Sequence, residues 1–366
     1  MSKNIAIIGA SYLQLPLIKK AKELGFITHV FAWKANDVGE KEADYFYPIS
    51  ITEKEAILNV CKEINISAVC SIASDLAAVT VNYIASKLNL SGNSLHTTEI
   101  STNKYKMRSA FLENNDPSPK FILVNDVTEI EKINLQYPLI VKPTDRSGSR
   151  GIYKVNNFDE LKNAISLSKN QSFEQKVLVE EFVEGEEYSV EYITFKGKHY
   201  FLNVTKKFTT GSPHFIETAH LEPANLDNTT MSNVKKVVEH ALNTLGIKNS
   251  ASHSEIKIDN NKNIKIIEIG GRMGGDCIGS DLVYYSTGID FVKAVIDVAC
   301  GIKPDLQPKK TKEAIMVKFI FTEQDYADYL KIKNTDKYIK TVELNLGNIG
   351  KITDSSNRAG CYIYKV

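Results

Sequence analysis

Short apolar runs alternate with amphipathic stretches over the first hundred residues of the chain. Bounded apolar runs predict buried strands, and apolar positions three and four residues apart predict helices. The predicted strands are 4–9, 27–33 and 67–73, and the predicted helices are about 12–24, 53–64 and 75–88. Because strand and helix alternate, we expect a doubly wound α/β layer with a parallel sheet.

The pattern changes after residue 100. A helix with Ser101 or Thr102 as its cap is expected to end at Asn114, because turn-forming residues follow it. The run 177–195 suggests an antiparallel strand pair, whereas 206–225 matches no regular element and is long enough to be a functional loop. Further helices are predicted at about 229–245 and 290–300, and short strands at 314–321, 339–344 and 360–365.

A predicted hairpin carries the most specific chemistry. Two β-branched runs, 255–258 and 264–269, flank the polar segment 259–263, which is typical of a turn. A turn centred in that segment places Glu255 opposite Glu268, with Cβ atoms roughly 4.5–5.5 Å apart. Two carboxylates completed by water and phosphate oxygens are typical of Mg²⁺ sites. An exposed hairpin without a metal is the alternative.

Basic and glycine-rich segments supply candidate anion sites. Lys104 lies near a helix start, where a bound anion would be favoured. Lys142 ends a short strand and precedes the segment 144–151, whose small and basic residues suit a flap over phosphates. Arg272 lies within the glycine-rich run 270–275 and offers a bidentate fork for carboxylate or phosphate. A solvated lysine and an unliganded surface loop remain the alternatives.

Several acidic residues and one histidine are further candidates. Glu180, Glu181 and Glu187 could accept hydrogen bonds from an exocyclic amine or from ribose hydroxyls. Glu217 and His220 could share one helical turn or converge in a loop. Considered singly, each is more often a solvated or structural residue.

Composition excludes several classes of protein. The 366 residues are 43% hydrophobic and 24% charged, with a net charge of +1, so neither a nucleic-acid nor a membrane partner is indicated. Five widely spaced cysteines without a paired motif fit a reducing cytoplasm and no zinc site. Gly9 lacks the second and third glycines of a dinucleotide fingerprint, which disfavours a nicotinamide oxidoreductase.

Taken in order, these motifs resemble the ATP-grasp superfamily over nearly the whole chain. The carboxylate–amine ligase branch, which includes the L-amino-acid ligases, is similar in two further elements. These are an E-x-x-H element at 217–220 and an EIGxRMGGD run at 268–276. The matching residues are Lys104, Lys142 with its flap, the run 179–187, Glu255, Glu268 and Arg272.

The resemblance implies an ATP-grasp fold of mixed α/β and α+β class. Residues 1–100 would form an N-terminal, doubly wound pre-ATP-grasp domain. Residues 101–311 would form the ATP-grasp domain, with a lid subdomain at about 115–185. Residues 312–366 would be a β-rich segment that completes the catalytic domain.

The resemblance also implies site roles. Lys104 and Lys142 would contact the phosphates under the flap. Glu180 and the backbone through Val183 would bind the adenine, and Glu187 would bind the ribose. The implied nucleotide-binding residues are Lys104, Lys142, Ser147, Gly148, Gly151, Glu180, Glu181, Phe182, Val183 and Glu187. Glu255 and Glu268 would hold Mg²⁺, with Mn²⁺ as a substitute. The implied catalytic residues are Lys142, Glu217, His220 and Arg272, with Arg272 on the carboxylate substrate and the E-x-x-H pair lining the amino-acid pocket.

The implied activity is ATP-dependent amide formation through an acyl phosphate, with release of ADP and phosphate. The expected partners are small-molecule carboxylates and amines in the cytoplasm, with a homodimer as a candidate assembly. One departure is Gly270, because many ATP-grasp enzymes carry a metal-binding Asn there. The alternatives are a bicarbonate-using carboxylase and a catalytically idle nucleotide-binding protein.

Overall fold

The computed structural model describes residues 3–126, 129–130, 134–146, 148, 150–212, 215–309 and 313–366. Within these ranges the strands form two four-stranded sheets and one eight-stranded sheet. No helix in the described ranges combines the length and the apolar character needed to cross a bilayer.

The first sheet is parallel, as predicted. Its strands are β1 (Asn4–Ile8), β2 (Ile27–Phe31), β3 (Tyr45–Tyr47) and β4 (Ala68–Cys70), in the spatial order β3-β2-β1-β4. The helices of this layer are α1 (Leu15–Glu23), α2 (Val38–Glu42), α3 (Lys54–Glu63) and α4 (Asp75–Leu88). The sequence pattern missed α2 and β3, which are too short to show a periodicity.

Two helices, α5 (Leu95–Thr102) and α6 (Lys104–Glu113), lead into the second sheet. The expected hydroxyl cap is wrong, because Asn103 caps α6 by accepting a hydrogen bond from the Lys106 amide. The second sheet is antiparallel in the order β5-β8-β6-β7 and packs against α7 over its own core. Its elements are β5 (Phe121–Val124), β6 (Leu139–Pro143), β7 (Tyr153–Val155), α7 (Phe158–Gln171) and β8 (Val177–Glu181).

The third sheet is antiparallel and forms the centre of the molecule, in the order β13-β12-β9-β10-β11-β14-β16-β15. The C-terminal strands therefore extend the same sheet as the predicted hairpin. Its strands are β9 (Glu186–Phe195), β10 (Lys198–Thr209), β11 (Glu217–Glu222), β12 (Ser250–Ile258), β13 (Ile264–Gly270), β14 (Ile315–Phe319), β15 (Tyr338–Leu344) and β16 (Gly360–Lys365).

A continuous core joins the first sheet to the third. Phe291 and Val295 of α10 pack with Ile5 of β1 and with Ile193 and Leu202 of the large sheet. This shared burial fixes the parallel sheet against the antiparallel one. The remaining helices are α8 (Asn228–Thr244), α9 (Val283–Thr287), α10 (Phe291–Ala299) and α11 (Glu323–Lys333).

Two further sequence expectations are wrong. The run 177–195 is not a strand pair, because β8 lies in the second sheet and β9 in the third. Gly185 connects them with a φ of +119°, and a Cβ there would lie 2.4 Å from the carbonyl oxygen of Ile258, so only glycine fits this crossing. The supposed loop at 206–225 contains the end of β10 and all of β11.

Candidate active site

A cleft of about 570 Å³ lies where the three sheets meet. The first sheet contributes the carboxyl ends of its strands, which is where open parallel sheets bind ligands. Gly151 does not line the cleft, and Ser147 lies outside the described residues. The predicted site residues that line it are Lys104, Lys142, Gly148, Glu180, Glu181, Phe182, Val183, Glu187, Glu217, His220, Glu255, Glu268 and Arg272.

The predicted carboxylate pair is confirmed as a cross-strand pair. Glu255 of β12 lies opposite Glu268 of β13, and both line the cleft. Their mutual repulsion is compensated by two lysines, since Lys104 Nζ lies 2.6 Å from Glu268 Oε1 and Lys207 Nζ 2.7 Å from Glu255 Oε1. Burial alone would raise the pKa of Glu255, but Lys207 and His253 hold it well below its usual value.

The pair fits a hard divalent ion, because both ligands are carboxylate oxygens on one side of the sheet. Among the described residues there is no cluster of three or more His, Cys, Asp or Glu side chains that could hold a metal ion. The remaining ligands of an ion held here would therefore come from a nucleotide and from water.

Three carboxylates share the ammonium group of Lys207, a residue that the sequence patterns did not indicate. Its ammonium lies 2.7 Å from Glu187 Oε1 and 3.6 Å from Glu217 Oε1, in addition to its contact with Glu255. Burial would lower the pKa of Lys207, but the three carboxylates raise it well above its usual value. His253 is a second cation nearby, because Glu191 and Glu255 outweigh burial and raise its pKa to about 9.

Lys142 and Glu180 belong to a buried three-residue ion network. Glu180 Oε2 lies 2.7 Å from Lys142 Nζ, and Glu180 Oε1 accepts a hydrogen bond of 2.7 Å from Nε of Arg108. Arg108 on α6 also donates to the carbonyl of Ile267 on β13, which links the second sheet to the third. Although burial raises the pKa of Glu180, the two cations lower it below its usual value. Two cations therefore occupy the carboxylate of Glu180, and its backbone lies in β8 between β5 and β6.

The segment after β8 runs along the cleft wall. The ring of Phe182 lies between two ammonium groups, 3.8 Å from Lys154 Nζ and 4.9 Å from Lys257 Nζ. The carbonyl of Val183 accepts a hydrogen bond from Lys257 at 3.2 Å. These contacts fix a partly aromatic, cation-rich wall where the nucleotide base and ribose were predicted to lie.

Arg272 is joined to the N-terminal layer. Its Nε and Nη2 donate to the two carboxylate oxygens of Asp75, at 2.9 and 3.0 Å. Asp75 begins α4 of the parallel layer, so this bidentate pair bridges the two halves of the cleft. Gly270 faces the same pair, because a Cβ there would lie 2.7 Å from Asp75 Oδ1. A side chain at position 270 would therefore collide with Asp75.

Glu217 and His220 face the cleft together because β11 contains a bulge. Thr209 pairs with Glu217 and Phe208 with Ala219, so one extra residue interrupts the alternation of sides. Without the bulge, residues three apart on a strand would point to opposite faces. Neither the helical turn nor the loop that the sequence left open is correct, although the two side chains do come together as expected.

Comparison with known families gives a match in the middle of the chain. Residues 135–281 match the ATP-grasp domain family. This part of the chain is similar to an ATP-grasp domain. The L-amino acid ligase from Bacillus licheniformis superposes with a TM-score of 0.82 at 22% identity, over 100% of this chain and 93% of that one. Phosphoribosylglycinamide synthetase from Anaerococcus prevotii superposes with a TM-score of 0.79 at 24% identity, over 100% and 94%. The predicted ATP-grasp fold is confirmed.

A relative of known activity is similar to this chain beyond the ATP-grasp domain. Alanine–anticapsin ligase of Bacillus amyloliquefaciens is 28% identical over 312 residues, which cover 75% of this chain and 65% of that ligase. The match thus spans less than two thirds of that relative's length.

Around the ATP-grasp domain, the residues that sequence reasoning missed are mainly counter-ions. Asp75, Arg108 and Lys207 each pair with a predicted residue from a distant part of the chain. For Asp75, the sequence offered one signal, because this residue directly follows Ser74, a good helix cap. Arg358, which pairs with Asp276, was missed because the C-terminal segment shows no motif.

Proposed function

We propose that this protein is an ATP-dependent ligase that joins the carboxylate of one small molecule to the amine of another. The observation that most supports this is the convergence of the Glu255–Glu268 pair, Lys104, Lys142 and Arg272 on a single cleft. Such a set provides the cations and the metal-binding carboxylates that phosphoryl transfer requires.

In the first step, the substrate carboxylate attacks the γ-phosphorus of ATP, ADP leaves, and an acyl phosphate forms. Lys104 and Lys142 neutralise the phosphate oxygens, and each ammonium keeps donor capacity beyond its present carboxylate partner. Arg272 orients the carboxylate through Nη1, whose present contact with the Met273 carbonyl is long, at 3.4 Å. Glu255 and Glu268 would hold Mg²⁺, which supplies charge neutralisation to the phosphates when bound.

In the second step, an amine displaces phosphate and an amide forms. Glu217 and His220 line the part of the cleft next to Asp276, where we place the amine. Closure of the segment 144–151 over the phosphates would exclude water and protect the acyl phosphate from hydrolysis. We assign residues 1–100, 101–311 and 312–366 as the three structural parts that assemble this site.

Amino acids are the substrate class that we propose. Support comes from the similarity to alanine–anticapsin ligase, whose name specifies an amino acid as a substrate. A cytoplasmic location is supported by the five cysteines, all of which are free thiols. A homodimer belongs to the proposal as well, and light scattering of the purified protein would test it.

The test is release of ADP and phosphate from ATP and Mg²⁺ with a pooled set of amino acids, followed by mass spectrometry of the products. We expect ADP release that requires a carboxylate and an amine, with a stoichiometric amide product. Release that requires bicarbonate alone would overturn the ligase in favour of a carboxylase. Confirmed ATP binding with no turnover under any condition would favour an idle nucleotide-binding protein.

A further inference from the structure

His220 is buried in the cleft wall without a hydrogen-bond partner. It is 1% exposed, and neither Nδ1 nor Nε2 bonds to any of the described residues. An unpaired buried polar atom destabilises the folded protein, so nitrogens of this kind in a cleft indicate a role that the protein alone does not complete. The ring itself is held firmly, because it packs edge-on against Phe319 with centroids 5.6 Å apart.

Asp276 faces this imidazole from the loop after β13. Its Oδ2 lies 3.7 Å from His220 Nε2, just beyond hydrogen-bonding distance. Asp276 and Cys277 are consecutive non-glycine residues with positive φ, +50° and +64°. The surroundings must impose such a backbone, and strained conformations of this kind cluster at functional sites.

Arg358, from the loop before β16, contacts Asp276 and the ring of Phe319 in this arrangement. Its Nη2 donates to Asp276 Oδ1 at 2.6 Å, and its Nη1 donates to the carbonyl of Glu217 at 3.3 Å. Its guanidinium carbon lies 3.7 Å from the centre of the Phe319 ring, the same ring that supports His220. The Arg358 side chain is 6% exposed, so these contacts are sheltered from solvent.

We propose that Arg358 is a positioning residue for the second half of the reaction, in which it holds Asp276 against His220 so that His220 accepts a proton from the attacking amine. This inference rests on the proposed ligase function. It assigns a role in amide formation, as distinct from ATP use, to the C-terminal segment.

The proton balance of this step is simple. The amine nitrogen forms a bond to the acyl carbon, the bond from that carbon to the phosphate oxygen breaks, and phosphate leaves with the electron pair. The surplus proton on nitrogen passes to an imidazole nitrogen of His220. Asp276 is available to stabilise the imidazolium because the guanidinium of Arg358 opposes the effect of burial and the pKa of Asp276 lies below its usual value. A contact of 3.7 Å can shorten when the substrate binds.

The test separates the two half-reactions in Arg358→Met. Hydroxylamine is an uncharged nucleophile at neutral pH and traps an acyl phosphate as a hydroxamate without a protein base. We expect amide formation to lose roughly 100-fold in kcat, since misplacing a catalytic group costs about this much. Hydroxamate formation should stay within about threefold of wild type, because it bypasses the base. Lys318→Met is the matched control, since Lys318 pairs with Asp325 and Asp328 in the same C-terminal part but does not line the cleft.

Equal loss of amide and hydroxamate in Arg358→Met, or loss of neither, would overturn the inference. Arg358→Lys keeps the positive charge but loses the two-pronged guanidinium, so we expect a smaller loss that is confined to amide formation. This variant serves as the test if Arg358→Met does not fold. The Arg358→Met defect should vanish in an Asp276→Asn background, because both act through one contact; additive losses would contradict this. If the wild-type protein formed neither amide nor hydroxamate, the proposed ligase function itself would be contradicted.

Discussion

The two ends of the cleft differ in how their charges are compensated. At the nucleotide end, Glu268 and Glu180 each lie within 2.7 Å of a lysine that was predicted to bind phosphate. At the other end, His220 has no hydrogen-bond partner among the described residues, and Asp276 Oδ2 lies 3.7 Å from its Nε2. The end of the cleft that carries Lys104 and Lys142 therefore has paired charges, whereas under the proposed function the second substrate would supply a partner for His220.

Two buried carboxylates, Glu180 in the cleft wall and Glu222 away from it, show the same contrast between a charge with cationic partners and a group without them. Glu180 pairs with two cations, and its pKa lies below the usual value. Glu222 accepts hydrogen bonds from the hydroxyls of Thr205 and Ser286, and burial raises its pKa to about 7. Because both side chains are buried, the groups around each carboxyl decide whether it is ionised.

Glu268→Ala is expected to have the largest effect. It removes one carboxylate of the proposed metal pair and leaves Lys104 without its partner, so ADP release should fall by roughly 10³-fold, as for loss of one preorganised electrostatic group. The far-UV circular dichroism should not change. Glu186→Ala is the control, because that side chain is 59% exposed and pairs only at the surface with Lys206 and Tyr188. Full activity in Glu268→Ala would refute the metal assignment.

Lys207→Met tests the nucleotide end through stability. The change leaves Glu187, Glu217 and Glu255 without their shared buried cation, which should cost about 3–5 kcal/mol of unfolding free energy. Added Mg²⁺ should recover part of this loss if Glu255 binds the ion, and thermal denaturation with and without Mg²⁺ measures both quantities. Lys206→Met on the same strand is the matched control, because Lys206 pairs with the exposed Glu186. A loss that Mg²⁺ does not change would separate Lys207 from the metal site.

The contrast between local and distant contacts explains what the sequence could predict. The hairpin that pairs Glu255 with Glu268 spans a short turn, so alternation and turn residues determine it. Asp75 pairs with Arg272 across 197 positions, and Arg358 with Asp276 across 82. No periodicity records such pairs, because they depend on how the sheets pack. The bulge in β11 broke the alternation that would have revealed a strand.

Glu222→Gln tests the carboxylate that has no cation. Its folded pKa of about 7 lies above its ordinary value near 4.5, so the folded state binds more protons between these values. The contribution of Glu222 to the unfolding free energy is fully present below pH 4.5 and is lost as the pH rises through 7. The difference between the two pKa values corresponds to a loss of about 3 kcal/mol. Urea unfolding from pH 4.5 to 8 should show a smaller decline for Glu222→Gln than for wild type. The exposed Glu63→Gln should leave the pH dependence unchanged, and a decline identical in all three proteins would contradict the role of Glu222.

The smallest expected effect concerns Gly270, at the boundary between the two ends. A methyl group in Gly270→Ala would lie 2.7 Å from Asp75 Oδ1, so we expect a cost of about 1–3 kcal/mol from overpacking. Gly275→Ala is the control, because its Cβ would meet only the Ala73 side chain, at 3.3 Å. Adding Asp75→Ala to Gly270→Ala should remove the shortest contact, leave the one of 3.2 Å to Arg272, and give a favourable coupling energy in a double-mutant cycle. Strictly additive losses would mean that Asp75 does not exclude a side chain at position 270, and the absence of Asn there would then lack a steric cause.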